Sequence, residues 1–147
     1  MKLGSNEGPH APMPAALEAL HAAAAGVNRY PDGAATELRR ALAVRLGLAP
    51  EQILPGAGID GLITLLAGAT LDPGDELVIG WPSFVSWRLR TAASGARMRD
   101  VALAPDGAFD LGALAAAAGP RTRLAVVVSP NNPTGGAVSV ERLTAFL

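Results

Sequence analysis

The chain has 147 residues, half of them apolar, and a formal net charge of −1, so it can bury one sizeable core and carries no excess positive charge for a polyanion. Its longest apolar stretch, from Leu62 to Leu71, is far shorter than the ~20 residues that a membrane-spanning helix needs. The amino terminus lacks an apolar signal-peptide core and cysteine is absent, which excludes disulfides and thiolate chemistry and predicts a cytoplasmic protein without nucleic-acid or membrane partners.

Helical and strand patterns alternate along the chain. A helix is predicted from Pro14 to Ala25, a polar turn follows, and a second helix runs from Ala35 to Leu46, where Gly47 stops it. Strands separated by helices predict an α/β fold of three layers, with a mostly parallel sheet and helices on both of its faces. The remaining predicted elements are a helix from Ile59 to Ala69, a strand from Glu76 to Ile79, a helix from about Ser83 to Ser94, a strand from Met98 to Leu103, a helix capped by Asp110, a strand from Leu124 to Val128 and a helix capped by Ser139.

A glycine-rich turn from Gly56 to Gly61 fits the pattern G-x-G-x-x-G. A dinucleotide site requires a full strand before these glycines and an acidic residue about 20 positions later, at the end of the next strand. Here only the pair Ile53-Leu54 is apolar before Pro55 ends the stretch, which is too short for a full strand. Asp75 lies at the entry of the next strand rather than at its end, so a dinucleotide-binding oxidoreductase is weakly supported. Small residues ahead of a helix still favour an anion-binding site at the start of that helix. The alternative is a glycine-rich helix start that binds no ligand.

The segment from Ser129 to Gly135 reads Ser-Pro-Asn-Asn-Pro-Thr-Gly and directly follows the last predicted strand. Its prolines fix φ and bias the residues before them away from the helical region, so we expect both asparagines to be held out at the strand's carboxyl end. Ligands of open α/β sheets bind at this end of the strands. An ordinary turn is the alternative, because all of these residue types are turn formers.

This segment resembles the Asn-Pro-Thr-Gly loop of class I/II, fold type I aminotransferases, which bind pyridoxal phosphate. The resemblance implies that Asn132 donates a hydrogen bond to the phenolate oxygen of the cofactor. It further implies that Phe84, in the Trp-Pro-Ser-Phe segment, stacks on the pyridine ring, unless it is a plain core residue. The glycine-rich turn is similar to the family's phosphate-binding turn, which would assign backbone donors to Ile59, Asp60 and Gly61.

The amino-terminal stretch is most similar to histidinol-phosphate aminotransferases. The similarity lies in Ser-Asn-Glu-Gly-Pro-His from Ser5 to His10 and in Arg-Tyr-Pro-Asp from Arg29 to Asp32. In that family the tyrosine reaches the cofactor phosphate of the neighbouring subunit, so the resemblance implies this role for Tyr30 and a homodimer. A turn residue packed on a proline is the alternative for Tyr30.

The resemblance identifies residues 1–147 as an incomplete aminotransferase domain, with an amino-terminal arm, helix and dimer-contact segment in 1–33 and the first part of the cofactor-binding large domain in 34–147. It implies amino-group transfer between a small amino acid, of the histidinol phosphate or glutamate type, and a 2-oxo acid. The family's Schiff-base lysine lies beyond the motif and Lys2 is the only lysine here, so we expect no catalytic residue in these residues and no activity from them alone.

Two other functions remain open at this point. A related pyridoxal-phosphate amino-acid decarboxylase or another aminotransferase would carry the same motifs. A noncatalytic module that binds a phosphate ligand or dimerises would need only the cofactor-binding residues. With two histidines and no cysteine, no metal site is expected.

Overall fold

The computed structural model describes residues 7–147, so Lys2 and the first residues of the amino-terminal motif, Ser5 and Asn6, lie outside it. The chain forms two compact units, one that ends at Leu54 and one from Pro55 to Leu147. Among the described residues, no helix is long and apolar enough to cross a membrane.

The described part of the first unit, residues 7–54, contains two helices and a short 3-10 helix. Asp32 accepts hydrogen bonds from the backbone N–H groups of Ala34 (2.9 Å) and Thr36 (2.8 Å), which fixes the start of the second helix. The guanidinium of Arg39 donates to the carbonyl of Pro50 at 2.9 and 2.7 Å and holds the 3-10 helix against that helix. The elements are α1 (Pro14–Ala24), α2 (Thr36–Leu46) and the 3-10 helix (Pro50–Gln52).

The second unit contains a three-stranded parallel sheet. The elements are α3 (Gly58–Thr70), β1 (Glu76–Trp81), α4 (Ser86–Ala93), β2 (Arg97–Ala102), α5 (Leu111–Ala117), β3 (Thr122–Val126) and α6 (Val140–Phe146). The strand order is β2-β1-β3, so β2 and β3 flank β1 on opposite sides. Parallel strands connected through helices confirm the predicted α/β class, and the right-handed crossovers usual in such sheets put α4 and α5 on opposite faces.

The central strand β1 is buried on both faces. Leu77, Val78 and Ile79 are fully inaccessible, as expected of a parallel strand covered by helices on each side. Ile63 of α3 and Phe109, which lies just before α5, complete the inaccessible part of this core. The core therefore forms around β1 and fixes the position of the loop that follows it.

One buried charge lies at the amino-terminal end of β1. Glu76 accepts hydrogen bonds from Arg121 (Nη2 to Oε1, 2.7 Å) and from Arg99 (Nη1 to Oε2, 3.2 Å). These bonds, that of Arg121 first, hold the pKa of the Glu76 carboxyl below its ordinary value. Because Arg99 lies in β2 and Arg121 directly precedes β3, Glu76 connects all three strands at this end of the sheet.

The predicted elements are present, with differences at their ends. The caps by Asp110 and Ser139 are confirmed, at 3.0 Å to the N–H of Ala113 and 3.3 Å to the N–H of Arg142. Helix α4 begins at Ser86 rather than Ser83, and β3 spans Thr122–Val126 rather than Leu124 to Val128. Both differences have one reason. Phe84, at the start of the predicted helix, and Val127 and Val128, at the end of the predicted strand, instead line the cavity described next.

Candidate functional site

A cavity of about 400 Å³ lies at the carboxyl ends of β1 and β3. The chain leaves β1 toward β2 and returns on the other side of β1 as β3, so this is the point where the strand order reverses. Open α/β sheets bind ligands at such a point. The cavity is lined by Ile59, Phe84, Trp87, Val126, Val127, Val128, Ser129 and Asn132.

Three residues singled out from the sequence meet in this cavity. Phe84 comes from the loop after β1, Asn132 from the loop after β3, and Ile59 from the first turn of α3. Asp60 and Gly61 lie on that same helical turn. Tyr30 belongs to the first compact unit, where its side chain is fully exposed.

The first turn of α3 presents free backbone donors. The N–H of Gly61 donates to the carbonyl of Ala57 (3.2 Å), which closes the first internal hydrogen bond of the helix. The N–H groups of Ile59 and Asp60 precede this bond and find no acceptor among residues 7–147, as is usual at a helix start. Two of the three predicted backbone donors are therefore available to an anion, and Gly61 is already engaged.

The carboxylate of Asp60 points to the neighbouring helix. It accepts a hydrogen bond from the hydroxyl of Ser86, the first residue of α4. Gly56, ahead of α3, has no room for a side chain, because a Cβ there would lie 2.8 Å from Cδ2 of Leu62. The start of α3 is thus joined to α4 by this hydrogen bond, and the turn before α3 packs closely on Leu62 of the same helix.

The two asparagines of the Ser129 to Gly135 loop have different surroundings. Asn132 lines the cavity, as expected. Asn131 is 3% exposed, and its Oδ1 accepts from the hydroxyl of Ser83 (2.8 Å) while its Nδ2 donates to the carbonyl of Pro82 (3.0 Å). The expectation that both asparagines are held out is wrong for Asn131, because its amide joins the loop after β3 to the loop after β1.

A second contact joins this loop to the loop after β2. The hydroxyl of Thr134 accepts from Nδ2 of Asn131 (2.8 Å) and donates to the carbonyl of Gly107 (2.6 Å). Beside it, Gly136 packs so closely that a Cβ would lie 2.1 Å from the carbonyl carbon of Gly107. The three loops at this end of the sheet are therefore connected by side-chain and backbone contacts.

Two features of the site were missed from the sequence. Trp87 is 8% exposed and lines the cavity one helical turn after Phe84, and its backbone N–H donates to the Phe84 carbonyl at 3.2 Å. The spacing of three residues between two aromatic side chains was a signal that could have identified it. Ser83, which holds Asn131, had no signal of its own.

The lining favours a flat, anionic ligand over direct acid–base chemistry by the protein. Aromatic and aliphatic side chains form most of its walls, the amide of Asn132 and the hydroxyl of Ser129 are its polar side-chain groups, and the positive end of α3 lies at Ile59. The hydroxyl of Ser129 accepts from the N–H of Val138 (2.9 Å). Within residues 7–147, no group of three or more acidic, histidine or cysteine side chains is arranged to hold a metal ion.

The dinucleotide interpretation of the glycine-rich turn fails on topology. In the described chain, no strand precedes Gly56, and the residue Ile53 only ends the 3-10 helix in extended conformation. A dinucleotide fingerprint needs a strand that leads directly into its glycines.

Comparison with known proteins gives one family over the whole chain. The family model described as aminotransferase class I and II matches residues 1–147. An aromatic amino acid aminotransferase of Corynebacterium diphtheriae is 46% identical over 147 residues, which are 100% of this chain and 43% of that protein. A histidinol-phosphate aminotransferase of Moorella thermoacetica is 42% identical over 149 residues, covering 100% of this chain and 38% of that protein.

A solved structure gives the same result for the fold. The crystal structure of histidinol-phosphate aminotransferase from Sinorhizobium meliloti in complex with pyridoxal-5'-phosphate has a TM-score of 0.90 and 33% identity to this chain. It covers 97% of this chain, which in turn covers 39% of that one. The chain spans about two fifths of the length of these relatives.

Proposed function

The chain belongs to the class I and II aminotransferase family, and we propose that it contributes the first part of a pyridoxal-phosphate site for amino-group transfer between an amino acid and a 2-oxo acid. In this proposal residues 1–33 form an arm, helix and dimer-contact segment, and residues 34–147 begin the cofactor-binding large domain. The observation that carries the proposal is the meeting of Phe84, Asn132 and the first turn of α3 in one cavity.

The residues of the cavity fit pyridoxal phosphate. A volume of about 400 Å³ is within the range of small-molecule sites, roughly 300 to 1,000 Å³. The amide of Asn132 offers an N–H donor of the kind that a phenolate oxygen needs, and the ring of Phe84 offers a flat face. The unpaired N–H groups of Ile59 and Asp60 offer donors to a phosphate at the positive end of a 13-residue helix.

Bound pyridoxal phosphate supplies the electron sink for carbanion chemistry at the Cα of an amino acid. The residues of this chain bind and orient the cofactor. Phe84 limits the tilt of the ring, Asn132 stabilises negative charge on its oxygen, and α3 anchors the phosphate. The apolar side chains of Trp87 and Val127 exclude water from the ring's surroundings.

Replacement of Asn132 tests this assignment. A hydrogen bond to a charged group contributes about 1.5–3 kcal/mol, so Asn132→Ala should raise the Kd for pyridoxal phosphate by about 10- to 150-fold. Fluorescence titration of the 147-residue chain measures the Kd. Asn28→Ala is the matched control, since Asn28 is an exposed asparagine of the first compact unit. An Asn132→Ala variant that binds like the control would contradict the assignment.

For the substrate, we propose an amino donor with a planar ring in its side chain. Histidinol phosphate, which the amino-terminal motif favours, carries an imidazole, and the similar enzymes named above are described as acting on aromatic amino acids or on histidinol phosphate. The aromatic and aliphatic lining of the cavity is consistent with such a ring.

Stable conjugates of cofactor and substrate test this preference without turnover. We expect the phosphopyridoxyl conjugates of phenylalanine and of histidinol phosphate to bind this chain more tightly than the conjugate of aspartate. The ratio of the first two affinities separates an aromatic amino acid from histidinol phosphate as the substrate. Equal binding of the aspartate conjugate would refute the ring preference.

Tyr30 is proposed to reach the cofactor phosphate of a second subunit, so the functional form is a homodimer. Its full exposure in the first compact unit leaves its hydroxyl accessible to such a contact. Because Lys2 is the only lysine, we also propose that residues 1–147 alone do not catalyse transamination.

A further inference from the structure

We propose that Asn131 is a positioning residue, which fixes the distance and orientation of Asn132 relative to Phe84 across the cavity. Asn131 is the buried asparagine that directly precedes the cavity-facing Asn132. Its positioning role rests on the proposed function for the identity of the ligand and on the contacts of Asn131 for the positioning itself.

The side chain of Asn131 uses both kinds of hydrogen-bonding group that an asparagine amide has. The oxygen accepts from Ser83, and the nitrogen donates to the carbonyl of Pro82 and to the hydroxyl of Thr134. The main chain of Asn131 is also held, since its N–H donates to Gly136 (2.8 Å) and its carbonyl accepts from Gly135 (2.7 Å). At 3% exposure, water has almost no access to this residue.

These contacts cross long stretches of sequence. Asn131 and Ser83 are 48 positions apart, and Thr134 and Gly107 are 27 apart. Ser83 directly precedes Phe84, and Asn131 directly precedes Asn132. The hydrogen bond between the two buried residues therefore joins the peptide segments that carry the two cavity-facing side chains.

A residue that only stabilised the second unit would act independently of Asn132. Its removal would lower the free energy of unfolding, and it would weaken ligand binding by the same factor with and without the Asn132 side chain. A positioning residue acts through Asn132, so its effect on cofactor affinity should disappear when Asn132 is removed. A double-mutant cycle distinguishes these two roles.

Two substitutions interrupt the network at different points. Asn131→Leu removes all three side-chain hydrogen bonds while it keeps the number of side-chain heavy atoms and the branching at Cγ. Thr134→Val is milder, because it removes only the link between Asn131 and Gly107. It allows the positioning role to be tested if the Asn131→Leu variant fails to fold. Thr134→Ser retains the hydroxyl and is the conservative control, for which we expect unchanged behaviour.

Amide hydrogen exchange of the ligand-free chain is the first measurement. Asn131→Leu and Thr134→Val should speed exchange of the Gly135 N–H, which donates within the loop, by at least about tenfold. The N–H of Val78, in the fully buried part of β1, exchanges through global unfolding and serves as the internal control, so the exchange of Gly135 should speed by more than that of Val78. Unchanged protection of Gly135 would overturn the proposal.

The second measurement is the Kd for pyridoxal phosphate. Each network variant should weaken binding by about 3- to 10-fold in the unsubstituted chain, because the hydrogen bond of Asn132 is weakened rather than removed, and by less than about twofold in the Asn132→Ala background. Equal effects in the two backgrounds would refute the positioning role and leave the proposed function intact. If the unsubstituted chain binds no pyridoxal phosphate, the proposed function fails, and the role of Asn131 in the loop is then decided by the exchange rates alone.

Discussion

The hydroxyl of Thr91 is buried and has no hydrogen-bond partner among residues 7–147, and replacement of Thr91 should stabilise the second unit. It lies in α4 at 1% exposure, and among the described residues nothing accepts from or donates to its Oγ1. Thr64 of α3 shows the usual solution, a hydrogen bond from its hydroxyl to the carbonyl four residues earlier, here Asp60 at 2.7 Å. The unsatisfied hydroxyl of Thr91 therefore contributes a desolvation cost of about 1–3 kcal/mol.

Thr91→Val replaces this hydroxyl with a methyl group of nearly the same shape. The change removes the desolvation cost and buries one more carbon, about 0.8 kcal/mol, while the helix propensities of the two residues are similar. We expect the free energy of unfolding to rise by about 2–4 kcal/mol, measured by urea denaturation.

Two controls accompany this measurement. Thr91→Ser keeps the hydroxyl and loses the methyl group, so it should lower the free energy of unfolding by about 1 kcal/mol. Thr64→Val, at an exposed and satisfied position, should stay within about 0.5 kcal/mol of the unsubstituted chain. If Thr91→Val is no more stable than the unsubstituted chain, the reasoning is refuted, because the hydroxyl of Thr91 must then have a hydrogen-bond partner.

Three further predictions concern stability and cofactor chemistry. Arg121 and Arg99 lower the pKa of Glu76 in the folded state, so their stabilisation of the fold is present at neutral pH and is lost as pH falls through that lowered pKa. Glu76→Gln should therefore flatten the acid side of the curve of unfolding free energy against pH. An unchanged curve would contradict this. Gly136→Ala should lower the free energy of unfolding by roughly 1–3 kcal/mol or more, measured by urea denaturation. Gly119→Ala, where a Cβ meets open space, should change it by less than about 0.5 kcal/mol. Equal effects of the two substitutions would contradict the close loop contact at Gly136. Reduction of the chain with borohydride in the presence of pyridoxal phosphate should label only Lys2 or the amino terminus, as mapped by mass spectrometry, and stoichiometric labelling with turnover of glutamate would overturn the proposed inactivity of these residues.

Much of the fold could be predicted because local sequence signals agreed with the tertiary structure. The alternation of strands and helices predicted a parallel sheet covered on both faces, as β1 shows, and Asp110 and Gly47 marked the helix ends that the structure has. Gly47 adopts a φ of 67°, a conformation that glycine accepts without a steric cost.

The rest depended on contacts between residues distant in sequence. Local pattern gave Ser83 the first position of a helix, yet its hydroxyl bonds to Asn131 and the helix begins at Ser86. The same pattern treated Asn131 and Asn132 alike, since both precede or follow prolines in one loop. Only the position of the loop after β1 decides which of the two asparagines is buried.

The placement of β3 last among the strands has a consequence for the order of events during synthesis. The chain segment up to the end of β2 can pair β1 on one side only, and the cavity acquires its second wall when β3 and its loop emerge. Closing the 48-residue separation between Ser83 and Asn131 costs about 3 kcal/mol of chain entropy by the logarithmic loop-closure relation, before any hydrogen bond offsets it. The ligand-binding end of the sheet is therefore expected to become ordered only after β3 and its loop have emerged, so a nascent chain without β3 should expose one edge of β1 and have no affinity for the cofactor.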